Sequence, residues 1–256
     1  MYVVIIGSGN VATVIGKLLF NKGINIAQVY SKTLAHAQIL AHAIKAKPVD
    51  RIDAITKDAS LYIIAVADNA IGTITNRLSL PGKLIVHTSG ATSKEVLSGV
   101  SSRYGVMWPL QSIRKEADHL PVIPFVIDGC NEVVTNDIKT FALQLSGKVI
   151  VANDTARVQL HLSAVMVSNF SNHLYKLVFD YCHNNVLDFS LLLPLITETV
   201  QRLQTMPPYQ SQTGPAVRND TATMEQHLSM LNNNPELKEI YRLFSDSIVH
   251  HHADKD

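Results

Sequence analysis

Residues 2–6, Tyr-Val-Val-Ile-Ile, form an apolar run that stops at Gly7 and Gly9 and resumes as an amphipathic stretch. In that stretch Val11, Ile15, Leu18 and Leu19 recur at helical spacing until Gly23. The unbroken run predicts a strand buried on both faces, and the later spacing predicts a helix closed by glycine. Shorter apolar runs predict strands over 26–30, 61–66, 83–86, 104–108, 123–127 and 148–151, with a helix over 132–145. This alternation predicts an α/β fold with a mainly parallel sheet covered on both faces.

The pattern changes after residue 153. With Asp154 or Thr155 as N-cap, the next 28 residues contain neither Gly nor Pro, which predicts one long helix to about Tyr181. A helix interrupted or bent near Pro194 is expected over 189–203, and two more over 221–231 and 236–249. Two domains follow, 1–153 with the sheet and 154–256 all helical. The long helix carries a polar stripe, His161, Ser168, Asn169, Asn172, His173 and Lys176, beside an apolar one of Leu160, Ala164, Val167, Leu174 and Val178. Solvation accounts for Lys176 and His173; His161 and Asn169 are candidates for a cleft between the domains.

The chemistry begins at the first glycines. Gly7, Gly9 and Ala12 fit the G-x-G-x-x-G/A spacing, in which the first glycine makes a tight turn, the second admits a pyrophosphate, and the third position packs helix on strand. The helix N-terminus offers free N–H groups to the anion, so Gly7, Ser8, Gly9, Asn10, Val11 and Ala12 are expected to hold a dinucleotide. A bare strand–helix turn is the alternative. NAD sites place an acid about 20 residues on, to bind the ribose hydroxyls. No Asp or Glu precedes Asp50, and the second strand ends in Ser31-Lys32-Thr33. Two hydroxyls and an ammonium suit a 2′-phosphate, so NADP(H) is expected; a solvated loop is the other reading. Later strands end at Val66, Ala67 and Asp68 and at His87, Thr88 and Ser89. Open α/β sheets bind ligands at such carboxyl ends, which assigns Val66, Ala67, Asp68 and Thr88 to the cofactor.

Composition narrows the classes. At 256 residues, 46% hydrophobic and 17% charged, the chain has material for one large core or two smaller ones. A formal charge of +1, with no basic run comparable to a phosphate-tracking stripe, gives no electrostatic reason to expect a nucleic-acid or membrane partner. No apolar stretch approaches the roughly 18 residues that cross a bilayer, and a strand from residue 2 leaves no room for a signal peptide. Cys130 and Cys182 lack CxxC spacing; both read as reduced thiols of a cytoplasmic protein. His250-His251-His252 reads as a solvated tail, and zinc-ligand spacing is absent.

Taken in order, GSGNVA at 7–12, HTSGA at 87–91, WPLQ at 108–111, HLSAVMVSN at 161–169 and GPAVRND at 214–220 resemble the bacterial proteins that join a Rossmann-like domain to a C-terminal domain-of-unknown-function family 2520. The resemblance covers nearly the whole chain. More distantly, it is similar to pyrroline-5-carboxylate reductases and β-hydroxyacid dehydrogenases, whose helical domain commonly helps form a dimer. It implies a Rossmann-like NAD(P) domain and, by analogy, a homodimer through the C-terminal helices. Two positions depart: Trp108 replaces the usual His, and Asn219 the usual Gly.

Hydride transfer to a carbonyl or imine requires a proton donor and orienting groups. His161 is the first candidate acid/base, since imidazole titrates near neutrality, and His87 the second. Ser89 beside His87, and Asn169 with Ser168, are expected to orient substrate. Arg218, in the Gly214-Pro215 loop, suits a substrate carboxylate, or else pairs with Asp220. The expectation is an NADP(H)-dependent oxidoreductase acting on a small carbonyl or imine compound; the alternative is a non-catalytic dinucleotide-binding sensor or assembly protein.

Overall fold

The computed structural model describes residues 2–116 and 122–253. Eight strands form one sheet in the order β3-β2-β1-β4-β5-β6-β7-β8. They are β1 (Tyr2–Ile6), β2 (Asn25–Tyr30), β3 (Lys47–Val49), β4 (Leu61–Ile64), β5 (Leu84–His87), β6 (Arg103–Pro109), β7 (Phe125–Gly129) and β8 (Val149–Val151). All neighbours are parallel except β6 and β7. Helices α1 (Asn10–Asn21), α2 (Leu34–Ala43), α3 (Asp68–Thr75) and α4 (Glu132–Leu145) connect them.

The apolar run of β1 divides between two cores. Val3 and Ile5 pack with Ile15, Leu19 and Leu40 from α1 and α2, while Val4 and Ile6 pack with Ile71 and Ile74 of α3 on the opposite face. Burial on both sides is why no polar residue interrupts the run. The short β3, α2 and α3 lie outside the elements expected from the pattern. Three residues are too few to show a period, and α2 carries alanine on both its faces.

Beyond β8 the chain is helical: α5 (Asp154–Ala164), a π-helical stretch (Val165–Phe170), α6 (Ser171–Asn184), α7 (Leu193–Arg202), the single turn α8 (Pro208–Ser211), α9 (Thr221–Met230) and α10 (Pro235–Ala253). The chain forms two compact units, Met1–Ser168 and Asn169–Asp256. The N-cap of α5 is Asn153, whose side chain accepts from Ala156 N, in place of the expected Asp154 or Thr155. The π-helical stretch adds a residue per turn. Positions after it therefore rotate out of the α-helical register that placed His161, Asn172, His173 and Lys176 on one stripe. The segment expected over 189–203 is interrupted beside Pro194, as a 3-10 turn (Phe189–Leu192) followed by α7, with Pro194 in the first turn of α7, where its missing N–H costs nothing. His250, His251 and His252 are the last turn of α10 rather than a tail.

Candidate functional site

The sequence of strands in the sheet creates the site. From β1 the chain steps outward to β2 and β3, then returns to β4 on the other side of β1, and ligands of open α/β sheets bind where the order reverses. Gly7 stands there with φ +130; a Cβ on it would lie 2.0 Å from the Ala65 carbonyl oxygen, so the β1 and β4 ends meet only because it is glycine. Its N–H donates to Tyr30 O at 2.8 Å. Gly9 is the N-cap of α1, no side chain caps that helix, and a Cβ there would meet nothing within 4 Å. Uncapped N–H groups thus face open space at a positive helix end.

A cavity of about 1050 Å³ opens at this point. Gly7, Ser8, Gly9, Asn10, Val11, Ser31, Lys32, Val66 and Ala67 line it. Ala12 is buried under the turn. Thr33 and Asp68 head α2 and α3 outside the lining, and the Thr88 hydroxyl donates to Ile64 O at 3.3 Å. The lining also contains Asp50, Arg51, Asp53, Asn69, Thr73 and Arg77, which sequence reasoning missed. The first three follow β3, and only the pairing of β3 with β2 brings them here. Arg51 holds Asp53 bidentately, Nε to Oδ1 at 3.0 Å and Nη2 to Oδ2 at 2.5 Å. That hydrogen bonding keeps the Asp53 carboxyl below its usual range.

The β5 end is built differently. His87 is fully buried, accepts from Ser89 N at Nδ1 (3.2 Å) and lies 3.3 Å from Ser93 O at Nε2. Burial first, and the nearby Arg157 guanidinium second, push its pKa down to about 4. It is a neutral imidazole pinning the 89–93 loop. The Ser89 hydroxyl is also engaged, donating to Thr92 Oγ1 at 2.9 Å and accepting from Ala91 N and Thr92 N.

Helix α5 brings His161 to that loop. A Cβ on Gly90 would lie 2.5 Å from His161 Cδ2 and 2.7 Å from Trp108 Cε2, and the Trp108 and His161 rings stand 5.6 Å apart. Gly90 is therefore the gap into which the imidazole fits. Trp108 is 7% exposed and packs beside that imidazole. No hydrogen bond engages the His161 ring among the described residues. One turn earlier, the fully buried Arg157 anchors α5: Nη2 donates to Thr92 O at 2.5 Å, and Nη1 lies 2.8 Å from Asp154 Oδ1, off the line of its N–H. Its Nε has no acceptor. Burial tends to raise the Asp154 carboxyl, but the Ser93 hydroxyl and Arg157 outweigh it and hold it low. Sequence reasoning missed Arg157, whose only signal was an i, i+3 Asp–Arg pair.

Ser168 and Asn169 lie in the π-helical stretch, Ser168 ending the first unit and Asn169 exposed at the start of the second. Arg218 is exposed in the second unit and makes no ion pair with Asp220 among the described residues. Instead the Asp220 carboxylate caps α9, accepting from Thr223 N and Oγ1 at 3.1 and 2.7 Å. Asn219 adopts the left-handed conformation (φ 49, ψ 40), which Asn tolerates better than most residues that carry a Cβ. No group of His, Cys, Asp or Glu suited to a metal ion occurs, and no helix is long and apolar enough to cross a membrane, among the described residues.

Two family models match, a Rossmann-like domain over residues 1–111 and a domain of unknown function (DUF2520) over 123–248. A Bacteroides fragilis protein of known structure, provisionally named an NADP oxidoreductase, is 35% identical, with 97% of this chain and 98% of that one covered and a TM-score of 0.89. A Thermotoga maritima protein shares the fold at 23% identity, 99% coverage of both chains and a TM-score of 0.76. So does the Aspergillus terreus reductive aminase, solved with NADPH and ethyl-5-oxohexanoate, at 18% identity, 98% and 91% coverage and a TM-score of 0.63. No curated protein matches in sequence.

Proposed function

This chain belongs to the family that joins a Rossmann-like domain to a DUF2520 domain, and on that premise we propose that it is an NADP(H)-dependent oxidoreductase reducing a small carbonyl or imine compound with a carboxylate on the substrate. The observation that carries this reading is the uncapped N-terminus of α1 behind Gly7 and Gly9 at the reversal of strand order. Relatives support it: one bears an NADP oxidoreductase name, and another was solved with NADPH.

The N–H groups from Ser8 to Val11 would receive the pyrophosphate, with Ser31 and Lys32 at the adenosine end of the same cavity. NADP(H), when bound, supplies the hydride. His161 is the group assigned to the proton: its ring nitrogens are uncommitted, whereas His87 and Ser89 are consumed in holding their loop. The reading includes a homodimer through the C-terminal helices and, from the free Cys130 and Cys182, a cytoplasmic setting.

A panel of keto acids and cyclic imines, followed by NADPH oxidation, tests the enzyme. A second reading, a non-catalytic dinucleotide-binding protein, is favoured by Trp108 in place of the family histidine and by the engaged state of His87 and Ser89. Tight NADPH binding without turnover across the panel would select it.

A further inference from the structure

One corner of the cavity is assembled from two segments distant in sequence. Tyr30 pairs with Val49 in the parallel register of β2 and β3, and Ser31 N donates to Val49 O at 3.0 Å. The loop after β2, with Ser31 and Lys32, therefore runs beside the one after β3, with Arg51. Ser8 Oγ donates to Ser31 Oγ at 2.9 Å and ties this corner to the glycine turn. The cavity wall carries three cations, Lys32, Arg51 and Arg77, against two carboxylates, Asp50 and Asp53. Its surplus is positive although the chain is nearly neutral.

We propose that Arg51 is the specificity-determining residue for the 2′-phosphate of NADP(H), exchanging Asp53 for the phosphate when the cofactor binds. The inference rests on the dinucleotide reading above. Arg51 already grips a two-oxygen anion with two parallel donors, the geometry by which a guanidinium takes a phosphate. The pair it must leave is 74% and 65% exposed, and such pairs are weak because water screens them. A phosphate monoester brings nearly two charges and three acceptor oxygens against the single charge of Asp53. Lys32 adds a point charge without directional selection. With NADH the Arg51–Asp53 pair stays closed and contributes nothing to binding. Discrimination thus resides after β3, beyond the stretch where a ribose-binding acid is usually sought.

Titration of the full-length protein with NADPH and NADH, for wild type, Arg51→Ala and Asp53→Asn, tests this. Arg51→Ala is expected to weaken NADPH by about tenfold or more, the scale of a lost charged hydrogen bond, and to leave NADH within a factor of about two. Asp53→Asn should tighten NADPH and leave NADH unmoved. The wild-type preference for NADPH should shrink below about pH 6, where the phosphate gains a proton. Equal loss of both cofactors in Arg51→Ala, or an unchanged ratio, overturns the role of Arg51 while leaving dinucleotide binding intact. Failure of the wild type to bind either cofactor overturns both readings together. Circular dichroism of each variant separates these results from misfolding.

Discussion

The two units use apolar residues in opposite ways. In the first, strands such as Val3–Ile6 and Leu61–Ile64 are fully buried between helices on both faces of the sheet. In the second, only Cys182, Ala216 and Leu231 are buried hydrophobics among the described residues. Phe170, Phe179, Leu191, Leu193, Leu195, Leu203 and Phe244 are each at least half exposed. The first unit contains its own core; the second leaves these large apolar side chains uncovered within the chain. Structure in the first is thus enforced by close contacts, and the second is the part whose stability is expected to depend on association.

The largest effect is expected where the first unit is tightest. Gly7→Ala combines a positive φ with a 2.0 Å clash on backbone, and should cost on the order of 3 kcal/mol or more together with dinucleotide affinity. Urea denaturation checks this, and a variant as stable as wild type would break the account of the turn. Nearly as large is the pH dependence set by His87. Unfolded, its imidazole protonates near pH 6.5; folded, not until about pH 4. A depressed folded pKa gives stability that is complete above pH 6.5 and lost as pH falls through that window, about 3 kcal/mol in all. Denaturation at pH 7 and pH 4.5 measures it, and His87→Gln should flatten the slope.

His161→Ala should remove about 100-fold of turnover on whichever substrate the panel identifies, with NADPH affinity unchanged. A fall in apo melting temperature with activity lost only in proportion would make His161 architectural instead. In the second unit, Leu191→Glu with Leu195→Glu changes residues 75% and 63% exposed. It should convert a homodimer to a 28 kDa monomer in light scattering and abolish any dependence of melting on concentration, leaving NADPH affinity alone. A wild type that scatters as a monomer would break the comparison. The smallest effect belongs to Asn219→Gly, within about 0.5 kcal/mol because both residues tolerate αL, whereas Asn219→Val should cost about 1–2 kcal/mol in melting experiments.

Residues 2–23 were legible because their signals are local. An apolar run, two glycines and a helical period specify strand, turn and helix without reference to any other part of the chain. Helix α4 over 132–145 was legible for the same reason, whereas its Asn131 cap came from the structure. The left-handed Asn219 was marked by its departure from glycine but could be explained only by its φ. Tertiary structure decided the rest of the site. Arg51 and Asp53 reach the cavity through the pairing of β3, three residues long and without a period, against β2. His87 and His161 are both histidines of plausible chemistry in the sequence, yet one is buried with both nitrogens engaged and the other has a free ring over Gly90. Periodicity reports which face of an element is buried; which group then meets which depends on strand order and register, and these are set by contacts between residues far apart in the chain.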